Sequence, residues 1–247
     1  MSHRTERLKV ILRDHLLPGF LFRLRASMQG IPDAGSYWPM FEPWRSDQAF
    51  RAIHATVRDR TLLTAERLWI VYSLARQALA TKGDFLEAGV YRGGTARLLR
   101  HVAESAREAP VLHVFDTFKG MPSTDPKHDK HRESDFRDTS LEAVSQFVGK
   151  DRVEYHPGFM PDTFRGLEDK RFAFAHIDVD IYKSIMDCCA FVYPRMPMGG
   201  VMLFDDYGFP SCPGARKAVD EFFADKPEFP LVLRTGQAIV VKTGSQP

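Results

Sequence analysis

The chain has 247 residues, 44% of them hydrophobic and 27% charged, which suits one large α/β domain with peripheral additions better than two separately folded domains. A formal net charge of only +2 lacks the field of a dedicated nucleic-acid binder, so a small-molecule site is favoured and no nucleic-acid partner is expected. Cys188, Cys189 and Cys212 are too few for a disulfide framework and lack the spacing of a four-ligand zinc site, which fits reduced thiols in a cytoplasm.

The first 25 residues are apolar at Leu8, Ile11, Leu16, Phe20 and Leu24, but Arg4, Arg7, Lys9, Arg13, Arg23 and Arg25 interrupt them and Pro18 with Gly19 breaks them. No uncharged run reaches the roughly 18 to 20 residues of a transmembrane helix, so neither a span nor a signal peptide is expected. Amphipathic segments packed on the domain or on a second subunit are the main reading, and with it a homo-oligomer. A basic amphipathic face making weak contact with an anionic membrane surface is the sharper one. From Ile31 to Trp44 an irregular connector carries Tyr37, Trp38, Phe41 and Trp44. It is too apolar for a free linker and is a candidate wall of an acceptor pocket. Residues 1–60 are therefore read as a helical and aromatic-rich extension, and 61–247 as the main domain.

A helix is predicted from the N-cap Thr64 to about Ala80, with Leu68, Val71, Tyr72, Ala75 and Leu79 at helical spacing. Strands and helices then alternate. Strands are expected over Asp84–Ala88, Val111–Asp116, Arg152–Tyr155, Phe172–Asp178 and Val201–Asp205, and helices over Gly93–Arg107, Thr139–Val148, Tyr182–Tyr193 and Gly214–Phe223. Leu231–Leu233 and Ala238–Val241 read as a closing hairpin around Thr235 and Gly236. Repeated βα units imply a doubly wound, mostly parallel sheet with helices on both faces and a terminal antiparallel hairpin. In such a sheet ligands bind beyond the carboxyl ends of the strands, where Glu87, Asp116, Asp178, Asp205 and Asp206 all fall.

Glycines 89, 93 and 94 join the first strand to its helix and leave room for a ligand to approach the backbone. No Lys-Ser or Lys-Thr pair follows them, which rejects a P-loop, and their spacing is not that of a nicotinamide fingerprint. Glu87 suits the cationic end of an aminoacyl sulfonium ligand, directly or through water. Asp116, at the end of the second strand, can accept hydrogen bonds from ribose hydroxyls, which points to an adenosyl ligand; a turn-capping role is the alternative. Asp178, Asp205 and Asp206 should converge at one sheet edge. At about 5 Å and an effective dielectric near 20, each like-charge pair costs about 3 kcal/mol, so the set wants a proton or a cation. All-oxygen ligands favour a hard ion such as Mg²⁺; capping or structural ion pairing is the alternative.

The polar stretch from Thr124 to Asp138 has no core pattern and is read as a lid. A zinc site using His128 and His131 is disfavoured because no cysteine or third histidine is near, so solvated loop residues are the default. Cys188 and Cys189 point about 100° apart on their helix and read as core packing.

Taken in order, Glu87-Ala-Gly-Val-Tyr-Arg-Gly-Gly94, Phe115-Asp-Thr-Phe-Lys-Gly120, Phe136-Arg-Asp-Thr-Ser-Leu-Glu142, Gly158-Phe159 with Asp162-Thr163, Asp178-Val-Asp-Ile-Tyr182, Tyr193-Pro-Arg195, and Gly199-Gly200 through Asp205-Asp-Tyr-Gly208 resemble the macrocin O-methyltransferase family over roughly residues 60 to 242. The resemblance implies a class I S-adenosylmethionine-dependent, Rossmann-like fold and methylation of a sugar hydroxyl in natural-product biosynthesis. It implies cofactor contacts at Glu87, Gly89, Tyr91, Gly93, Asp116, Thr117, Ser140, Gly158, Phe159 and Asp178. It also implies Mg²⁺ at Asp178, Asp205 and Asp206, with Asp178 as the catalytic proton acceptor. Two departures stand out. An arginine often precedes the family's first metal aspartate by two places, where this chain has His176, and the family's Ser-Thr after the tyrosine reads Ser184-Ile185. A catechol-type small-molecule O-methyltransferase and a noncatalytic cofactor-binding scaffold are the rival readings.

Overall fold

A computed structural model describes Phe20 and residues 42–244. The chain divides into a unit over Met1–Pro43 and a unit over Trp44–Pro247, and all but three of the described residues belong to the second. The expected amphipathic segments before residue 25 and the aromatics Tyr37, Trp38 and Phe41 lie outside the described residues, Phe20 excepted. Among the described residues no helix is long and apolar enough to cross a membrane.

The second unit opens with α1 (Gln48–Val57), which the sequence reading passed over. Asp47 caps it by accepting from the Phe50 amide at 2.7 Å, and Phe50, Ile53 and Val57 bury one stripe. Next comes α2 (Ala65–Ala78), capped by Thr64 as expected and buried along Leu68, Val71, Tyr72, Ala75 and Ala78. The βα units follow: β1 (Asp84–Ala88), α3 (Gly94–Glu104), β2 (Leu112–Asp116), α4 (Leu141–Val148), β3 (Val153–Pro157), β4 (Phe172–Ile177), α5 (Tyr182–Val192), β5 (Val201–Phe204) and α6 (Pro213–Phe223). The hairpin β6 (Leu231–Val232) and β7 (Ala238–Val241) closes the chain.

The sheet order is β3-β2-β1-β4-β5-β7-β6. β1 to β5 pair in parallel, and β7 runs antiparallel to both β5 and β6. Strand alternation splits the core in two. Phe85, Leu112, Val114, Phe174 and Leu203 pack under α1 to α4, while Leu86, Phe115, Ala175, Ile177, Met202 and Phe204 pack under α5 and α6. With both faces covered, β1, β4 and β5 are apolar almost throughout, as a buried parallel sheet requires. Cys188 and Cys189 are fully buried in the second layer, consistent with packing.

The strand order reverses between β1 and β4, so the crevice beyond their carboxyl ends is the place where a ligand can enter.

Candidate functional site

At that crevice a cavity of about 250 Å³ opens, lined among others by Gly89, Tyr91, Asp116, Gly158, Asp178 and Asp206. Each reaches it from the carboxyl end of a strand. Thr117 and Phe159 also line it. Of the remaining expected residues, Glu87 and Asp205 are wholly buried behind it, and Gly93 and Ser140 lie off its wall.

Gly89 is demanded by the sheet itself. Its φ is +83°, and a Cβ there would stand 1.7 Å from the Asp178 carbonyl oxygen. The backbone leaving β1 and the backbone carrying Asp178 cross in contact, which fixes Asp178 relative to the glycine loop. Gly93, also left-handed at φ +84°, caps α3, and a Cβ would meet Val148 and Val144 of α4 at 2.9 and 3.1 Å. Its need is packing between helices. Ser140 is the N-cap of α4, accepting from the Ala143 amide, and borders a separate depression with Arg60, Arg92 and Asp138.

Asp116 organises the loop that follows β1. One carboxylate oxygen accepts from the Val90 and Tyr91 amides at 2.7 and 3.1 Å, and the other from the Phe118 amide at 2.7 Å and the Thr117 hydroxyl at 3.4 Å. Tyr91 is held in a left-handed conformation and donates its hydroxyl to Asp138 at 2.9 Å.

Asp178, Asp205 and Asp206 do converge: one ligand oxygen from each lies within 4.8 Å of the others. Burial and the neighbouring Asp180 push the Asp178 carboxyl up to about 7, and burial with Asp180 and Asp178 pushes Asp206 well above the usual carboxylate range. Asp206 also accepts from the Asp180 amide at 2.9 Å.

Behind this set a polar row crosses the three central strands. β1–β4 register places Glu87 beside His176, and alternation puts both, with Asp205 beyond β5, on the α2 side of the sheet. His176 Nδ1 lies 3.1 Å from Glu87 Oε1, and His176 Nε2 lies 3.7 Å from Asp205 Oδ1. Arg67, from the first turn of α2, ends the row in an ion pair with Asp205 and stacks over the Phe209 ring at 4.6 Å, while Gln237 donates to Asp205 at 2.8 Å. Burial, then Arg67, lowers His176 to about 3, so its imidazole is neutral. Burial, then Asp178 and Asp116, raises Glu87 well above the usual range. A protonated Glu87 beside a neutral His176 is the charge state the core tolerates.

The Thr124–Asp138 stretch is tied down at several points. Asp129 accepts from the Tyr182 amide at 2.9 Å, which caps α5 from outside, since its own N-cap Ile181 offers no side chain. Lys130 donates to the Pro210 carbonyl at 2.7 Å, and Thr124 to the His131 carbonyl at 2.9 Å. One sequence expectation is corrected here: His131 does have a cysteine near it, with Cys212 Sγ 3.6 Å from its Nε2. The two are 81 residues apart, and only the fold joins them. Arg67, Gln237, Asp180 and this pair are site residues that the sequence reading missed.

A family profile described as Macrocin-O-methyltransferase (TylF) matches residues 58–227. The chain is 32% identical over 180 residues to a mycinamicin III 3''-O-methyltransferase of Micromonospora griseorubida, spanning 66% of this chain and 69% of that protein. It is 33% identical over 156 residues to a demethyldecarbamoylnovobiocin O-methyltransferase of Streptomyces niveus, spanning 58% of each. Among solved structures, the O-methyltransferase NovP superposes with a TM-score of 0.66 at 25% identity, covering 75% of this chain and 83% of that one. The calicheamicin methyltransferase CalS11 superposes at 0.61 and 17% identity, over 83% and 98% of the two chains, and speaks for the fold alone.

Proposed function

The chain belongs to the macrocin O-methyltransferase family, and from that premise we propose that it is a Mg²⁺-dependent enzyme that moves a methyl group from S-adenosylmethionine to a hydroxyl of a sugar or glycosylated natural product. The observation that carries the reading is the meeting of Asp178, Asp205 and Asp206 beside the glycine loop, at the crevice where β1 and β4 diverge. Three carboxylates within 4.8 Å, with oxygen donors alone, fit a hard divalent cation. Gly89, Tyr91, Asp116, Thr117, Gly158 and Phe159 would hold the cofactor, with Glu87 supporting that wall from behind.

When bound, S-adenosylmethionine supplies a methyl group on a cationic sulfur, and Mg²⁺, held by the three aspartates, supplies a Lewis acid that lowers the acceptor hydroxyl's pKa. Asp178 faces the cavity, where its carboxylate takes the acceptor's proton as transfer proceeds. Phe115, Phe159 and Met160 exclude water from the transfer path. Asp116 holds the Val90–Tyr91 turn in register with them. The Thr124–Asp138 stretch closes the cleft as a lid, its His131 and Phe136 on the cavity wall. The same reading has the enzyme working as a cytoplasmic homo-oligomer, which light scattering checks; a monomer would overturn that part.

Calorimetric titration of S-adenosylmethionine and Mg²⁺ into the wild type, Asp178→Asn and Asp205→Asn tests the reading, followed by an acceptor screen with sugars and catechols. Loss of Mg²⁺ binding in both variants with cofactor affinity retained, and methylation of sugars by the wild type, is the expected result. Methylation of catechols alone overturns the acceptor class, and a folded wild type that binds neither ligand overturns the catalytic reading in favour of a scaffold.

A further inference from the structure

Beside the carboxylate set, three side chains from three separate elements turn toward one point: His131 from the Thr124–Asp138 stretch, Asp180 from the loop after β4, and Cys212 at the N-cap of α6. Cys212 Sγ is 3.3 Å from Asp180 Oδ1 and 3.6 Å from His131 Nε2, and His131 Nε2 is 3.5 Å from Asp180 Oδ1. We propose that His131, Asp180 and Cys212 form a second metal site, distinct from the aspartate trio, that takes a soft divalent transition ion of the Zn²⁺ type.

Edge lengths are the first argument. Around tetrahedral zinc, bonds of about 2.0–2.1 Å to nitrogen or oxygen and about 2.3 Å to sulfur place ligand atoms about 3.3–3.6 Å apart. The three observed separations match that face of a tetrahedron.

Donor chemistry is the second argument. His131 Nδ1 lies 3.1 Å from Asp135 Oδ2, the carboxylate partner that fixes a ligating imidazole with its N–H outward and its Nε2 lone pair inward. That lone pair then faces the Asp180 carboxylate oxygen and the Cys212 thiol, which donates to Asp180, and a cation held between the three would take the place of the thiol proton. Thiolate and imidazole together select a softer ion than the all-oxygen aspartate trio does. Burial, with Asp206 and Asp180 beside it, pushes the Cys212 thiol up, so the thiol keeps its proton until a bound cation displaces it.

All three side chains line the cavity, so the fourth coordination position faces the cleft. The ion would pin the Thr124–Asp138 stretch to the carboxyl edge of the sheet. The proposal does not depend on the methyl-transfer reading.

Chelator-stripped full-length chain is titrated with Co²⁺ and with Zn²⁺ in excess Mg²⁺, which masks the aspartate trio. One equivalent of Co²⁺ should bind with a thiolate-to-cobalt charge-transfer band and the intense visible bands of a tetrahedral site, and Zn²⁺ should displace it. Cys212→Ser and His131→Ala should abolish the band, Asp135→Asn should weaken binding about tenfold, and Asp178→Asn should leave the band intact. Asp135 is half exposed, so its variant tests the site without threatening the fold. Wild type without a thiolate band, or a band that survives His131→Ala, overturns the proposal.

Discussion

Arg67 and Asp205, 138 residues apart, form an ion pair in which the carboxylate is wholly buried and the guanidinium nearly so. Asp205 accepts from Arg67 Nε at 3.4 Å as well as from Gln237, so its carboxylate has a cationic partner inside the protein. Removing one partner of a buried pair leaves an uncompensated charge, which costs about 3–5 kcal/mol. Arg67→Met is therefore expected to lose about that much in urea unfolding of the metal-free protein. Saturating Mg²⁺ should recover part of the loss, because it offers Asp205 another cation. A loss below about 1 kcal/mol would show that the pair does not neutralise Asp205 in solution.

Gly89 gives a prediction with an internal control. Gly89 and Gly166 both sit at positive φ, +83° and +85°, but a Cβ at Gly89 would overlap the Asp178 carbonyl whereas at Gly166 nothing lies within 4 Å. Gly166→Ala should cost only the left-handed conformational penalty, about 1–2 kcal/mol. Gly89→Ala adds backbone overlap and should cost at least about 2 kcal/mol more. Because the overlap displaces Asp178, Mg²⁺ affinity should fall in Gly89→Ala and stay unchanged in Gly166→Ala. Paired melts and Mg²⁺ titrations check both parts.

Asp129 ties the Thr124–Asp138 stretch to α5. Its Oδ1 accepts the Tyr182 amide and its Oδ2 the Asp125 amide at 3.2 Å, so one side chain caps a helix and closes a turn. Asp129→Ala should cost about 1 kcal/mol, as loss of a helix cap does. Amide exchange should quicken across residues 124–138 and at the first turn of α5, with α2 unaffected. Uniform exchange change across the sheet would instead mean that the stretch and α5 are not locally coupled.

Much of this architecture was legible in the sequence because parallel strands buried on both faces announce themselves. The span Asp84–Ala88 was read to the residue and Thr64 as the cap of α2, whereas α4 was read from Thr139 although Ser140 caps it. Helix ends were less so. The first helix of the alternating region was read to about Arg107, yet α3 ends at Glu104, where Ser105 and Ala106 close back on Val102 and Ala103 in a tighter turn. α1 was missed although Asp47, Phe50, Ile53 and Val57 carry its signal, because the aromatic run before it suggested an irregular connector. In the site, the aspartate trio followed from strand ends alone. Arg67, Gln237 and the His131–Cys212 contact did not, since each depends on which helix or hairpin the fold lays across the sheet. Glu87 was legible as a special residue, but its place in a buried row with His176 required the β1–β4 register.

The face under β2 and β3 predicts how the protein responds to acid. His156 stacks on Phe115 with ring centroids 4.3 Å apart and meets His113 Nδ1 at 3.1 Å. Burial, reinforced by His113, lowers its pKa from 6.5 to about 4. Between those values the unfolded chain binds a proton at this position that the folded chain refuses. Stability then rises with pH across that window and is lost as pH falls through it. His176, lowered to about 3, contributes with the same sign. The raised carboxyls of Asp178, Asp206 and Glu87 act with the opposite sign in the same window, so the check is a difference between two proteins: relative to His156→Gln, the wild type's urea midpoint should drop as pH falls from about 6.5 to about 4. The Gln side chain keeps a polar partner for His113 and cannot take up the proton. A wild type and variant with the same pH dependence would show that His156 protonates without disturbing the fold.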